Sequence, residues 1–202
     1  MKKILFLTIL AVSFAVVSKA QRIELTPFGG YTFADKFKFD GGEAELGGGF
    51  TYGGILSIFS GNNALELTYS RQNASADAHS YDDYIDVSNA PVSANYIFAG
   101  GSRHFPVSDE AAFFAGLNMG VGFIDNDEYR SETRFSTGFN GGVRYFFSER
   151  IGLRLQANLN IPVTDLGSAF WWNPGADETY GVTTYVPIFQ FGLNGGIIIK
   201  LK

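Results

Sequence analysis

TRFSTGFNGGVRYFFSERIGLRLQANLNIP, residues 133–162, alternates apolar and polar side chains on both sides of a short turn at Ser148-Glu149-Arg150. Phe135, Thr137, Phe139, Val143, Tyr145 and Phe147 share one parity before the turn, and Ile151, Leu153, Leu155, Ala157, Leu159 and Ile161 share one after it. The other parity holds Arg134, Ser136, Asn140, Arg144, Arg154, Gln156, Asn158 and Asn160. A period of two sustained over this length predicts two long antiparallel strands. One face of the hairpin is apolar over its whole height and the other polar, so the two faces meet different solvents.

Working outward, the same alternation predicts six more strands: Ile23 to Ala34, Glu45 to Phe59, Ala64 to Gln72, Pro91 to Phe105, Ala111 to Ile124 and Val186 to Lys202. In the strand from Pro91, Val92, Ala94, Tyr96 and Phe98 fall on one face and Ser93, Asn95 and Arg103 on the other. The connections alternate in length. Asp35 to Ala44, Asn73 to Ala90, Asp125 to Glu132 and Val163 to Tyr185 are long and polar, whereas Ser60 to Asn63, Pro106 to Glu110 and Ser148 to Arg150 are short. In an up-and-down barrel every second connection lies at the same end. Long loops at one end and tight turns at the other is the asymmetry of a barrel spanning an outer membrane, whose strands need about 9–11 tilted residues. The expected fold is therefore all-β, an eight-stranded antiparallel up-and-down transmembrane β-barrel.

Composition agrees. Of 202 residues 46% are hydrophobic, 16% aromatic and only 17% charged, and 25 are glycine, a mix that favours strands over helices. Met1-Lys2-Lys3, the apolar run Ile4 to Val17 and Ser18-Lys19-Ala20 have the form of a secretory signal cut before Gln21, with an uncleaved anchor as the alternative. The expected organisation is a signal peptide over 1–20 and one barrel domain over 21–202. Cleavage removes three lysines, so the formal charge of −5 becomes −8, and no nucleic-acid partner is expected. With no cysteine there is no disulfide, thiolate metal site or lipidated cysteine.

Alternation does not say which face is inside. The apolar face carries Phe, Tyr, Leu and Ile on nearly every strand, more bulk than an eight-stranded interior holds, while the polar face is crowded with glycine and asparagine. Apolar-out follows. IELTPFGGYTF at the start, AFFAGLNMGVGF in the middle and GFNGGVRYFFSERIGLRLQANL later resemble the small eight-stranded outer-membrane barrels of the OmpA and OmpW type, in particular the Gly-rich barrels of Bacteroidetes-like bacteria. The resemblance covers the mature chain and implies residence in the outer membrane. It departs in one place: such barrels often end in an aromatic residue, and this chain ends Leu201-Lys202.

Inward positions near the short turns include Arg22, Glu24, Glu66, Arg103, Arg144, Arg154 and Lys200. Those toward the long loops are mostly glycine, serine and asparagine. A plugged periplasmic half and a roomy, polar outer half are expected. Across the hairpin Arg144 falls opposite Arg154; like charges there repel and need partners, for which Glu24 and Glu66 are candidates. The lumen charge network expected is Glu24, Glu66, Arg103, Arg144 and Arg154. Lipid-facing aromatics gather near strand ends, with Tyr31, Phe33, Phe50, Tyr69, Phe123, Phe135 and Phe189 at the outer side and Phe113, Tyr145 and Phe147 at the inner.

Catalysis is not expected. His79 neighbours Ser80, but on a strand the two point to opposite faces, and His104 has lipid-facing parity. Asp77, Asp82, Asp83 and Asp86 are weak candidates for a divalent cation and read more simply as a solvated loop. Trp171 and Trp172 in the longest loop either contact a ligand, partner or lipid, or fold back to cap the barrel mouth. No cofactor is expected. The partners expected are outer-membrane lipid and a surface ligand or small solute met by the long loops, with the chain a monomer. The leading function is a structural or surface-interaction role, adhesion-like, and the alternative is a narrow conduit or binding site for a small solute, as the OmpW-like resemblance allows.

Overall fold

The computed structural model describes residues 22–39, 42–80, 86–125, 133–162 and 189–201, and every regular element in them is a strand. The strands are β1 (Ile23–Thr32), β2 (Asp35–Phe39), β3 (Gly42–Leu46), β4 (Gly49–Ser60), β5 (Asn63–Ser80), β6 (Asp86–Pro106), β7 (Ala111–Asp125), β8 (Thr133–Phe146), β9 (Ile151–Pro162) and β10 (Gln190–Lys200). Eight of them, in the order β5-β4-β1-β10-β9-β8-β7-β6, form a sheet that closes through the β5–β6 pairing. All neighbours in this barrel are antiparallel.

The register fixes the tilt. Following partners round the barrel from Asn63 leads through Arg103, Ala115, Gly141, Ala157, Leu193, Tyr31 and Phe50 to Asn73, ten residues further along the starting strand. With the usual strand spacing and rise, that stagger over eight strands tilts them by roughly 40°. A strand so tilted climbs roughly 30 Å between Phe135 and Phe147, the thickness of a bilayer's hydrocarbon core. Over this band Leu65, Phe147 and Phe50 are 63%, 60% and 58% exposed. So large an apolar surface is untenable in water and suits lipid.

The short turns are built by two local devices. Between β4 and β5, Ser60 pairs with Asn63 around Gly61 and Asn62, and Gly61 has φ 59°, a left-handed conformation suited to glycine. The β6–β7 and β8–β9 turns share a serine. Ser108 Oγ accepts from the backbone N–H of Glu110 (3.3 Å) and Ala111 (3.1 Å), and Ser148 Oγ from that of Arg150 (3.4 Å) and Ile151 (3.0 Å). Ser-Asp-Glu and Ser-Glu-Arg are thus one turn type used twice.

Three departures from the sequence pattern matter. The stretch 35–44, expected as a loop, contains β2 and most of β3, an antiparallel hairpin in which Lys36 and Glu45 are register partners joined by a 2.8 Å ion pair. This hairpin continues onto β5, from Leu46 opposite Ala76 to Gly42 opposite Ser80. The stretch 73–90 is strand rather than loop except at 81–85, outside the described residues, because β5 and β6 keep pairing past the barrel with one register shift near Ala76 and Ala78. Beyond the long-loop rim, β2, β3, β5 and β6 form a four-stranded platform.

The third departure is an inversion of β6. Val92, Ala94, Tyr96 and Phe98 are buried inside the barrel, whereas Ile97, Ala99, Gly101 and Arg103 face out. Volume decides this. Tyr96 pairs with Gly122, Phe98 with Gly120 and, beyond, Gly120 with Ser136, so the lumen beside β6 is empty of side-chain bulk unless β6 supplies it.

Candidate functional site

The site grows from the β8–β9 turn. Its register puts Arg144 opposite Arg154, both buried, two cations side by side on neighbouring strands. Each is neutralised across the lumen by a different carboxylate. Arg144 Nη2 donates to both oxygens of Glu24 on β1, at 2.7 Å each. Arg154 reaches the diametrically opposite strand, where Nη1 donates to Glu66 Oε1 at 2.8 Å and Nη2 to Oε2 at 3.1 Å, a bidentate fork. Glu24 and Glu66 are 2% and 1% exposed, so each charge depends on its partner. Further contacts hold the geometry. Ser57 Oγ donates to Glu66 (3.3 Å), Arg154 Nε donates to Gln156 (2.8 Å), Arg22 lies 2.8 Å from Glu24, and Arg154 sits 4.1 Å over the Phe114 ring.

Between the two ion pairs lies His104, 4% exposed, its ring 4.8 Å from Phe59 and 5.5 Å from Phe114. Arg144 Nη1 stands 3.4 Å from His104 Nδ1, and Ser102 Oγ 3.0 Å from Nε2. A guanidinium only donates, so Nδ1 accepts and Nε2 carries the proton. The chain of bonds then has a direction, Arg144 to His104 and His104 to Ser102, which stands beside Glu66. His104 couples the Glu24–Arg144 pair to the Glu66–Arg154 pair as a neutral imidazole.

The expected network therefore differs in one member. Glu24, Glu66, Arg144 and Arg154 come together, but Arg103 faces outward, exposed, its guanidinium 6.0 Å from the outward Phe105 ring. His104, expected against lipid, takes the inward place because β6 is inverted. The signal that locates it is the glycine content of β7: Gly120 and Gly122 share the inward parity and stand opposite Phe98 and Tyr96, which fixes the facing of β6 and with it that of His104.

The outer half of the lumen is not a vestibule. Tyr96 donates its hydroxyl hydrogen to Gln190 Oε1, joining β6 to the opposite strand β10, with the two residues 2% and 1% exposed. Asparagines fill the wall between the crossings. Asn118, Asn140 and Asn194 each lay the amide oxygen over a glycine of the neighbouring strand, Gly100, Gly116 and Gly30, where any Cβ would collide with it. Asn194 Nδ2 also donates to Asn158 Oδ1 at 2.8 Å. At the short-turn end a recess of about 120 Å³ opens outside the plug, lined in part by Arg22, His104, Arg144 and Lys200.

Trp171 and Trp172 lie outside the described residues, as do Asp82 and Asp83. Asp77 is on β5 and Asp86 opens β6. Among the described residues no three His, Cys, Asp or Glu side chains are placed to hold a metal ion.

The profile of the outer membrane protein beta-barrel domain family matches residues 4–193. Among solved structures, Neisserial surface protein A is similar with a TM-score of 0.61 at 12% identity, over 89% of this chain and 97% of that one. The N-terminal β-barrel domain of Pseudomonas aeruginosa OprF follows at 0.44 and 10%, over 87% and 97%. The attachment invasion locus protein Ail of Yersinia pestis, in complex with the heparin analogue sucrose octasulfate, gives 0.43 and 12%, over 88% and 99%. At 12% identity the likeness to the Neisserial protein is one of fold. No curated protein matches the chain.

Proposed function

The chain belongs to the outer membrane protein beta-barrel domain family, and on that footing we propose that it is a closed, non-enzymatic barrel with a structural and surface-interaction role. The observation that carries this reading is the double crossing of the lumen. Glu66–Arg154 and Tyr96–Gln190 each join diametrically opposite strands, and all four side chains are buried. A conducting pore needs a continuous water path, which two buried crossings interrupt. The outward platform of β2, β3, β5 and β6 supplies the surface for a partner. Residues 1–20 act in this reading as a cleaved export signal, leaving a barrel of 21–202.

Chemistry in the lumen also supports a non-enzymatic role. Ser102 and His104 form a Ser–His contact, but the second imidazole nitrogen faces Arg144 where a catalytic base needs a carboxylate. With Nδ1 accepting, Nε2 already holds a proton and cannot take one from Ser102.

Single-channel recording of the refolded barrel in a planar bilayer tests the proposal, beside an Arg154→Ala, Tyr96→Ala double variant. The expected result is a silent wild type, with heat-modifiable migration reporting a folded barrel, and current only when both crossings are cut. Steady wild-type current would overturn it in favour of small-solute passage.

A further inference from the structure

The recess at the short-turn end is charged differently on its two sides. Arg22 just before β1, Lys200 on β10 and Arg144 on β8 line it, and so do Asp109 and Glu110 of the β6–β7 turn. In the strand order β1 is four strands from β7, and β10 four strands from β6. Across an eight-stranded ring the turn carboxylates therefore stand diametrically opposite Arg22 and Lys200. The short-turn mouth is a polarised cup, cationic on the β1–β10 side and acidic on the other.

The cationic side has more charge than the protein neutralises. Glu24 is the lumen carboxylate beside it: its oxygens take Arg144 at 2.7 Å each, Oε1 lies 2.8 Å from Arg22 Nε, and Lys200 is its register partner on β10. Three cations thus share one carboxylate, because Glu66 is engaged by Arg154. Lys200 forms no ion pair among the described residues, with Glu149 of the neighbouring turn included, and its ammonium rests 3.8 Å above the Phe146 ring. Arg22, its side chain 41% exposed, lies 4.0 Å over the Phe59 ring, and its two terminal nitrogens meet no acceptor among the described residues. Both cations are held on aromatic faces with N–H groups that no protein atom takes. Opposite them, Asp109 accepts no hydrogen bond among the described residues, and the Glu110 carboxylate accepts only that of Ser108 Oγ at 3.1 Å.

Charge and size select the occupant. A surplus of two positive charges matches a phosphate monoester, which carries about −1.5 to −2 near neutral pH, better than a carboxylate. The acidic wall across the cup favours a cation at the far end of the same molecule. A volume of about 120 Å³ holds about four waters, so the molecule is small. We propose that the recess binds a small zwitterion, with its phosphate on Arg22 and Lys200 and an ammonium, a few bonds away, against Asp109 and Glu110. A free aminoalkyl phosphate and the headgroup of an aminophospholipid present the same two groups.

The test is titration of the refolded barrel in phosphatidylglycerol nanodiscs at low salt, following the amide NMR signals of Ser108 to Ala112 and Lys200. The probes are O-phosphoethanolamine, inorganic phosphate and ethanolamine. Saturable shifts are expected with O-phosphoethanolamine, binding about tenfold weaker with phosphate, the worth of one charge-assisted contact, and none with ethanolamine. Lys200→Gln is expected to lose about tenfold in affinity. The pair Asp109→Asn and Glu110→Gln should bring O-phosphoethanolamine down to the level of phosphate, and Arg150→Gln, in the β8–β9 turn, should change nothing. Nanodiscs of phosphatidylethanolamine tell the two sources apart, since a lipid headgroup in the recess shifts the same amides with no solute added. The proposal is overturned by the absence of saturable shifts with solute and lipid alike, by phosphate binding as tightly as O-phosphoethanolamine, or by Lys200→Gln or the acidic pair behaving as wild type. A loss in Arg150→Gln equal to that in Lys200→Gln overturns it too. Should a variant lack a folded, heat-modifiable band, the wild-type comparison of O-phosphoethanolamine with phosphate still decides.

Discussion

The β8–β9 and β5–β6 hairpins face one another across the lumen and are tied by the Glu66–Arg154 ion pair, yet they fill the barrel in opposite ways. On β8 and β9 the large residues, Phe135, Phe139, Tyr145 and Leu155, point outward, and glycine, asparagine and arginine point in. On β6 Tyr96 and Phe98 point inward, and the outward face, although it holds Ile97 and Phe105, also presents the small Ala99 and Gly101 to lipid. Lipid accepts both surfaces, because neither alanine nor phenylalanine brings a side-chain polar group that hydrocarbon would leave unsatisfied. The lumen does not. Its cross-section is fixed by strand number and stagger, so where three neighbouring walls are glycine-rich the fourth must supply bulk. Polarity decides the facing of a strand only when the volume inside is already assigned.

The largest effect expected comes from cutting the tie. Glu66→Ala leaves Arg154 buried without its carboxylate and is expected to cost about 4 kcal/mol in urea unfolding from lipid vesicles. Replacing both partners, Glu66→Ala with Arg154→Met, should recover most of the loss. If the double variant is no more stable than the single, the two hairpins are not held by this pair.

The next effect tests volume directly. A Cβ at residue 122 would lie 2.7 Å from Tyr96 Cε1 and 2.9 Å from Ser136 Oγ. Gly122→Leu is therefore expected to destabilise by about 3 kcal/mol through overpacking. In a Tyr96→Ala background the ring is gone and of these contacts only Ser136 Oγ remains, so the same leucine should cost less. Equal costs in the two backgrounds would show that bulk from β6 is not what the β7 glycines accommodate.

His104 sharpens the comparison chemically, since the inversion of β6 is what brings it between the ion pairs. His104→Phe keeps the packing against Phe59 and Phe114 but strands the Ser102 hydroxyl and an Arg144 N–H. A loss of about 2 kcal/mol is expected for groups so buried. His104→Gln, which retains an acceptor and a donor, should lose less. Equal losses would mean that only the shape of the imidazole matters.

How much of this the sequence discloses follows from the same contrast. Strict alternation in 133–162 marks strands, turn and facing together, because both faces are strongly typed, and the pairing of Arg144 and Arg154 with glutamates follows from charge alone. The strand from Pro91 is alternating too, but its faces are weakly typed: Ser93 and Asn95 look luminal although they belong to the outer interface. Only the glycines of β7, more than twenty residues away in the chain, reveal the facing, and that requires the pairing register. The β2–β3 hairpin in 35–44 is hidden for a different reason. Five-residue strands bordered by glycine carry too little periodicity to be told from a loop.

The smallest effect expected is at Arg103, and its smallness is informative. Were β6 facing as its polar residues suggest, Arg103 would be a buried cation in the plug and Arg103→Ala would cost several kcal/mol, as at Arg154. Facing out beside Phe105 at the inner interface, it should cost under about 0.5 kcal/mol. Because the chain has no cysteine, single cysteines give a clean second readout. Ile97→Cys and Ala99→Cys carrying a fluorophore should be quenched by lipid-borne quenchers, and a label at Ser102→Cys should be shielded from them. A quenching pattern of the opposite parity would return Tyr96 and Phe98 to the bilayer, dissolve the Tyr96–Gln190 crossing, and leave the glycines of β7 facing an open lumen.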